Sequence, residues 1–144
     1  EVEQLRESFG LPGMRILQFA FSGSDNRFLP HHYDRNTVVY TGTHDNDTTV
    51  GWYNAIPDQE RHFLSRYLPG AGGDIAWELL RLAFSSVADL ALVPVQDLLS
   101  LPSEARMNYP GRAANNWTWR YTSGQVNQAI IDRLADLTAL YSRR

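Results

Sequence analysis

The sequence predicts an α/β fold built on a parallel sheet, and two observations carry that prediction. Three short runs rich in apolar and β-branched residues, 14–21, 38–41 and 91–93, alternate with stretches of helical periodicity, the alternation that builds parallel α/β sheets. Polar residues gather just past each run: Asp25 and Asn26, then His44, Asp45, Asn46 and Asp47, then Gln96 and Asp97. Parallel barrels keep their chemistry at that end of their strands. Three strands cannot close a barrel, which takes eight and about 250 residues. The 144-residue chain therefore reads either as a small open α/β domain or as a piece of a larger barrel.

Residues 1–8 have the spacing of a helix already under way, with Val2, Leu5 and Phe9 on one side and no initiating methionine. Gly10, Pro12 and Gly13 end it. The run from Met14 to Phe21 is almost wholly apolar, as expected of a strand buried on both faces of a parallel sheet. A polar, aromatic-dotted loop over 22–36 leads to the second strand, Val38-Val39-Tyr40-Thr41, which Gly42 and the Asx residues after it stop. Helices are predicted over 48–54 and 57–68, the latter with Pro57 at its start, Asp58 and Glu60 in its first turn and Arg66 near its end. Residues 69–73 break it, and Asp74 is expected to cap a helix whose Ile75, Leu79, Leu82 and Ala83 recur at helical spacing. Pro94 lacks the donor a central strand needs, which places it at the exit of the third strand, before a helical turn carrying Gln96 and Asp97. A long loop over 102–121 holds Trp117 and Trp119, and Val126, Ile130, Leu134, Leu137 and Tyr141 line one face of a final helix.

Composition narrows the function classes. With 43% hydrophobic and 20% charged residues the chain is that of a globular domain. Its formal charge of −3 is spread along the chain without a basic block, which argues against a nucleic-acid partner. The absence of cysteine excludes disulfides, thiolate nucleophiles and cysteine-ligated zinc, and agrees with a cytoplasmic location. No apolar run approaches the roughly 20 residues of a bilayer span, so no membrane partner is expected. The opening Glu1-Val2-Glu3-Gln4 is unlike an export signal. His31, His32 and His44 have no third ligand at a recognised spacing, and neither a metal nor another cofactor is expected.

The strand-exit residues are rich in bidentate hydrogen bonders and poor in cations, which suits a ligand with many hydroxyls better than a phosphate. Tyr33, Trp52, Tyr53, Trp117 and Trp119 add flat apolar faces on which a pyranose ring can pack. Carbohydrate is the natural candidate. Plainer readings stand beside this one. Asx residues at a strand-to-helix junction are ordinary turn residues and caps, which would account for Asp45 and Asp47. Asp97 fits a cap for the turn after the third strand as well as a sugar contact. Trp117 and Trp119 alternate, so that one packs inward and the other is free.

Five blocks together carry a resemblance: Ile16-Leu17-Gln18-Phe19-Ala20-Phe21, Phe28-Leu29-Pro30-His31, the stretch 38–49 (VVYTGTHDNDTT), Val93-Pro94-Val95-Gln96-Asp97, and Arg106-Met107-Asn108-Tyr109-Pro110-Gly111-Arg112 through Asn116-Trp117-Thr118-Trp119-Arg120. In this order they resemble the last three strands and closing loop of the amylomaltase-type 4-α-glucanotransferases, glycoside hydrolase family 77 of the α-amylase-like barrel group. The resemblance spans essentially the whole chain. It implies the C-terminal portion of a (β/α)8 barrel, residues 1–144 being the C-terminal segment of the catalytic domain with the N-terminal part of the same barrel missing. It also implies an enzyme that transfers segments of α-1,4-glucans and maltooligosaccharides to glucose or another glucan by a retaining double displacement, without a cofactor.

Family members use an aspartate nucleophile, a glutamate acid/base and a third carboxylate that follows a histidine. The first two would lie upstream of Glu1; the pair His44-Asp45 matches the third position. By this resemblance Asp45 is the transition-state stabiliser, and His44, Asn26, Gln96, Asn116 and Trp117 bind substrate. The chain departs from the common pattern at Asn26-Arg27, where Asn-Pro is usual, at His31-His32-Tyr33, where His-Asn-Tyr is usual, and at Ala114-Asn115, where Ser-Gly is common. Two other readings stay open: a stand-alone carbohydrate-binding or protein-interaction domain, and an α-glucan hydrolase of the same barrel group. The isolated segment is expected to be inactive.

Overall fold

A computed structural model describes residues 1–143. Its centre is a parallel sheet of three strands, β1 (Gly13–Ile16), β2 (Thr37–Tyr40) and β3 (Leu90–Leu92), in the order β1-β2-β3. Six α-helices accompany them: α1 (Val2–Ser8), α2 (Thr49–Ala55), α3 (Asp58–Tyr67), α4 (Ile75–Ser85), the single turn α5 (Val95–Leu98) and α6 (Gln128–Leu140). Met14 lies opposite Val38, and Val38 opposite Leu90, while Ile16, Tyr40 and Leu92 form a row further along. Side chains alternate faces along a strand, so Met14, Ile16, Val38, Tyr40, Leu90 and Leu92 share one face and Thr37, Val39 and Ala91 the other.

The two faces have different fates. Val39 is fully buried with Leu17, Phe21, Leu29, Leu64, Leu79 and Ala83, the core that α3 and α4 close over the outer face of the sheet. Each such leucine withdrawn from water contributes about 1.5–3 kcal/mol. The opposite face is apolar and only partly covered: Ile16 is buried, but Met14 is 49% exposed, Leu90 57% and Leu92 47%. Where a strand buried on both faces was expected, β1 in this segment is only partly covered on the second face. The apolar run is also shorter as a strand than predicted, since Leu17–Phe19 turns into a 3-10 helix. That turn lets Leu17, Ala20 and Phe21 drop into the outer core while the Gln18 amide still reaches the Thr41 carbonyl at 3.2 Å.

The termini follow from local chemistry. Gly10 adopts φ +63° and ends α1 with Leu11 N–H donating to Arg6 O and Gly10 N–H to Glu7 O, the paired closure that a left-handed glycine permits. The apolar side of α1 is bare, with Val2, Leu5 and Phe9 all exposed. Asp74 occupies the N-cap position of α4 but its side chain makes no capping bond; instead it accepts from Ser100 Oγ at 2.8 Å and Arg133 Nη1 at 3.1 Å. Its expected role as a cap is thereby replaced by a tie between α4, α6 and the turn after α5. Asn127 does cap α6, accepting from Ile130 N–H at 3.1 Å, and Leu137 packs with Trp77 and Leu80. Arg143 donates to the carbonyls of Phe84, Ser86 and Ala88 at 2.7–2.8 Å, a cation where the dipole of α4 favours one. Among the described residues no helix is long and apolar enough to cross a membrane.

Space is tightest where α2 begins. A Cβ built on Gly51 would collide with Ser103 Oγ and lie 2.7 Å from Asp47 Oδ2, the two atoms that hydrogen-bond to each other at 2.7 Å. Gly51→Ala is predicted to destabilise the protein by about 1–3 kcal/mol, read from denaturant midpoints. An alanine variant as stable as the wild type would show that this junction is loose.

Candidate functional site

The turn between β2 and α2 is knitted before any ligand arrives. Asp97, 1% exposed at the start of α5, accepts from Thr41 Oγ1 at 2.6 Å, from Thr49 Oγ1 at 2.8 Å and from Thr49 N–H at 2.8 Å. One carboxylate therefore pins both ends of the segment between them. Inside it, Asn46 Oδ1 accepts from the Thr43 N–H at 2.9 Å and Thr43 Oγ1 at 2.8 Å, while Gln18 Nε2 donates to Asp47 O at 2.9 Å. With Asn46 and Asp47 folded inward, the tip of the turn exposes His44 and Asp45, whose side chains are 55% and 53% accessible.

A second segment meets that tip from the closing loop. Arg106 Nη2 donates to Asp45 O at 2.6 Å and its Nε to Asn108 O at 2.8 Å. Asn108 N–H donates to His44 O at 3.1 Å, and its Nδ2 to Asp45 Oδ1 at 2.6 Å. The Trp117 ring lies 5.0 Å from that of His44; its backbone at φ +61° is held by a bond from its N–H to Met107 O at 2.8 Å. A non-glycine residue in the left-handed region costs about 1–3 kcal/mol, which the loop's internal bonds offset.

His44, Gln96 and Trp117 line a cleft of about 400 Å³ whose far wall is Met14, Tyr40 and Leu92 of the open sheet face. Three of the six residues singled out from the sequence thus share one space; Asp45 does not line it but stands at its rim between His44 and Asn46, which do (His44 Nε2 to Asp45 Oδ1, 3.5 Å). Gln96 is buried, and its Nε2 donates to Ala105 O at 3.2 Å. Asn26 and Asn116 are spent within their own loops. Asn26 donates to Phe19 O and Ser22 Oγ and accepts from Phe28 N–H; Asn116 accepts from Tyr109 N–H at 2.9 Å and donates to Arg112 O at 2.8 Å. The sequence alone assigns no role to Arg106 or Asn108. Their signal was present as the Arg106-Met107-Asn108 run, but a contact across 63 positions has no local signature. Asp97 caps the first residue of α2, not the turn after β3. Among the described residues, no three His, Cys, Asp or Glu side chains converge as metal ligands.

These features define an α/β segment whose polar site lies at the C-terminal ends of parallel strands, with a strand-exit carboxylate at its rim. The chain belongs to the 4-alpha-glucanotransferase family, whose profile matches residues 1–127. It is 54% identical over 136 residues to a 4-alpha-glucanotransferase of Thermus thermophilus, covering 88% of this chain and 27% of that one. A chloroplastic/amyloplastic 4-alpha-glucanotransferase of Arabidopsis thaliana is 48% identical over 148 residues, covering 99% and 26%. A solved amylomaltase from Streptococcus agalactiae, in complex with acarbose, is similar with a TM-score of 0.93 at 30% identity, over 99% of this chain and 29% of that one. The chain thus spans little more than a quarter of the length of these relatives.

Burial pushes the Asp97 carboxyl above the usual carboxylate range, against the lowering effect of the Thr41 and Thr49 donors. The folded state therefore holds this proton to higher pH than the unfolded chain does. The stability Asp97 contributes is full below its unfolded pKa and is lost as pH rises through the raised folded value. Asp97→Asn, which cannot ionise, is predicted to remove that fall, seen by comparing denaturant midpoints below and above this window. A variant with the wild-type slope would assign the pH dependence elsewhere.

Proposed function

We propose that this chain is the C-terminal segment of a (β/α)8 barrel 4-α-glucanotransferase, contributing the last three strands with their helices. In this reading the whole enzyme moves α-1,4-glucan segments to glucose or another glucan by a retaining double displacement. The family membership and the coverage of relatives support it. So does the open apolar face of β1, β2 and β3, because the interior of such a barrel is packed by side chains from all its strands. The upstream part of the barrel supplies the nucleophile and the acid/base. A cytoplasmic location belongs to the same reading.

The observation that carries the functional assignment is the state of Asp45. Its Oδ1 is engaged by Asn108, and among the described residues no donor reaches Oδ2. A half-satisfied carboxylate at the rim of a cleft is ready to accept from a sugar hydroxyl, and such bonds tighten as the ring flattens toward the oxocarbenium state. His44 beside it donates to a neighbouring hydroxyl, Trp117 offers a stacking face, and Gln96 closes the back of the cleft. Asn116 serves substrate binding indirectly by shaping the closing loop that carries Trp117, whereas the loop shaped by Asn26 does not line the cleft. The acarbose held by the solved relative agrees with a carbohydrate ligand for this site, and α-1,4-glucans and maltooligosaccharides are the proposed substrates.

In the full-length enzyme Asp45→Asn is predicted to lower turnover by at least about 10²–10³-fold with the melting temperature unchanged, because it removes an acceptor needed as charge develops. His44→Ala should cost less and leave the shape of the pH–rate profile intact. Normal turnover by Asp45→Asn, or a profile reshaped by His44→Ala alone, would overturn these roles.

A further inference from the structure

Asp45 does not stand alone at the tip of its turn; its carboxylate is aimed by a residue 63 positions away. An ionised carboxylate can only accept, so the amide nitrogen of Asn108 must be the atom that faces Oδ1, at 2.6 Å. Asn108 is itself immobilised on both sides of its side chain. Its N–H donates to His44 O at 3.1 Å, and its carbonyl accepts from Arg106 Nε at 2.8 Å. The same guanidinium reaches Asp45 O at 2.6 Å. The backbone of the acidic tip and the backbone of the residue whose amide holds its carboxylate are thereby fixed to one rigid planar group. Arg106 also lies over the Tyr109 ring at 4.5 Å, with Arg112 at 4.3 Å from the same ring, which fixes the guanidinium in turn.

We propose that Asn108 is a positioning residue for Asp45, occupying one carboxylate oxygen so that the other is presented to the substrate. The inference rests on the stabiliser role given to Asp45 above. The choice of a neutral amide matters. A lysine or arginine donating to the same oxygen would orient the carboxylate but offset its charge, the property a stabiliser of a cationic transition state must keep. An amide restricts the carboxylate's rotation and leaves its charge in place. Asn108 acts through Asp45 and touches no reacting atom.

The test uses full-length enzyme, with kcat and KM for maltotriose disproportionation measured across pH and melting temperatures recorded in parallel. Asn108→Ala should lower kcat about tenfold with KM within about twofold and a pH–rate profile of unaltered shape. Asn108→Asp places a second carboxylate against Asp45, and two such groups share a proton. Its activity should be depressed near neutrality and recover toward acid, where the introduced carboxyl is protonated and again donates to Asp45. Its optimum therefore moves to lower pH than in the wild type or Asn108→Ala. A merely structural role would lower the melting temperature of both variants without moving the optimum. Wild-type kcat in Asn108→Ala, or an unshifted optimum in Asn108→Asp, overturns the proposal, and the aspartate variant decides it if the alanine variant does not fold. Asp45→Asn separates the two roles: if it keeps its turnover, the assignment of Asp45 fails and that of Asn108 with it. If it is inactive while the Asn108 variants behave as wild type, only the Asn108 inference fails.

Discussion

Asp97 receives three hydrogen bonds from residues on either side of the β2–α2 turn, and the geometry of the site depends on them. A carboxylate buried to this degree is costly unless its oxygens are satisfied, and Thr41 and Thr49 reduce that cost, without cancelling it, only when both are in place. That requirement couples three elements: the end of β2, the first residue of α2 and the short turn α5 must arrive together or the carboxyl is left bare. With both ends of the turn fixed, its middle has little freedom. The Thr43–Asn46 bonds complete its shape, leaving His44 and Asp45 as the groups that face outward. The same fixed turn is the surface on which Arg106 and Asn108 dock.

The sheet presents the reverse situation. Its outer face is buried beneath α3 and α4, whereas Met14, Leu90 and Leu92 are half exposed on the other. Large contiguous apolar surface marks a place where something else packs, and the proposed barrel gives that surface its occupant, the side chains of the remaining strands. The cleft beside Asp45 shares a wall with this open face. In the proposed assembly the missing strands therefore do two things at once: they cover the apolar face and bring the nucleophile and the acid/base to the rim where His44 and Asp45 wait.

Much of this was legible in the sequence wherever the signal was local. Alternating strand and helix patterns placed β2 and α3 to within a residue or two, and Pro94 marked the exit of β3 because its missing donor has a fixed consequence. Where the outcome depended on contacts distant in the chain, the pattern was ambiguous. The run from Met14 to Phe21 has strand composition throughout, yet it bends after Ile16 because Leu17 and Phe21 gain more by entering the outer core. Asp74 has the right residue type and place for a cap, but Ser100 and Arg133 compete for it successfully. The paired His44 and Asp45 were visible as a strand-exit motif. The neighbours that define their chemistry, Asp97 beneath and Asn108 beside, lie 52 and 63 residues from Asp45, and no periodicity encodes contacts of that kind.

In the proposed enzyme, His44 and Asp45 form one side of a transglycosylation site whose other side lies on the upstream strands. The most direct measurement incubates maltotriose with the purified 144-residue chain and, separately, with a full-length enzyme containing it, followed by chromatography of the sugars. The full-length enzyme is predicted to yield glucose together with longer maltooligosaccharides, and the isolated chain to leave maltotriose unchanged. Disproportionation by the isolated chain, abolished by Asp45→Asn, would show a complete catalytic site within these three strand ends and would contradict the claim.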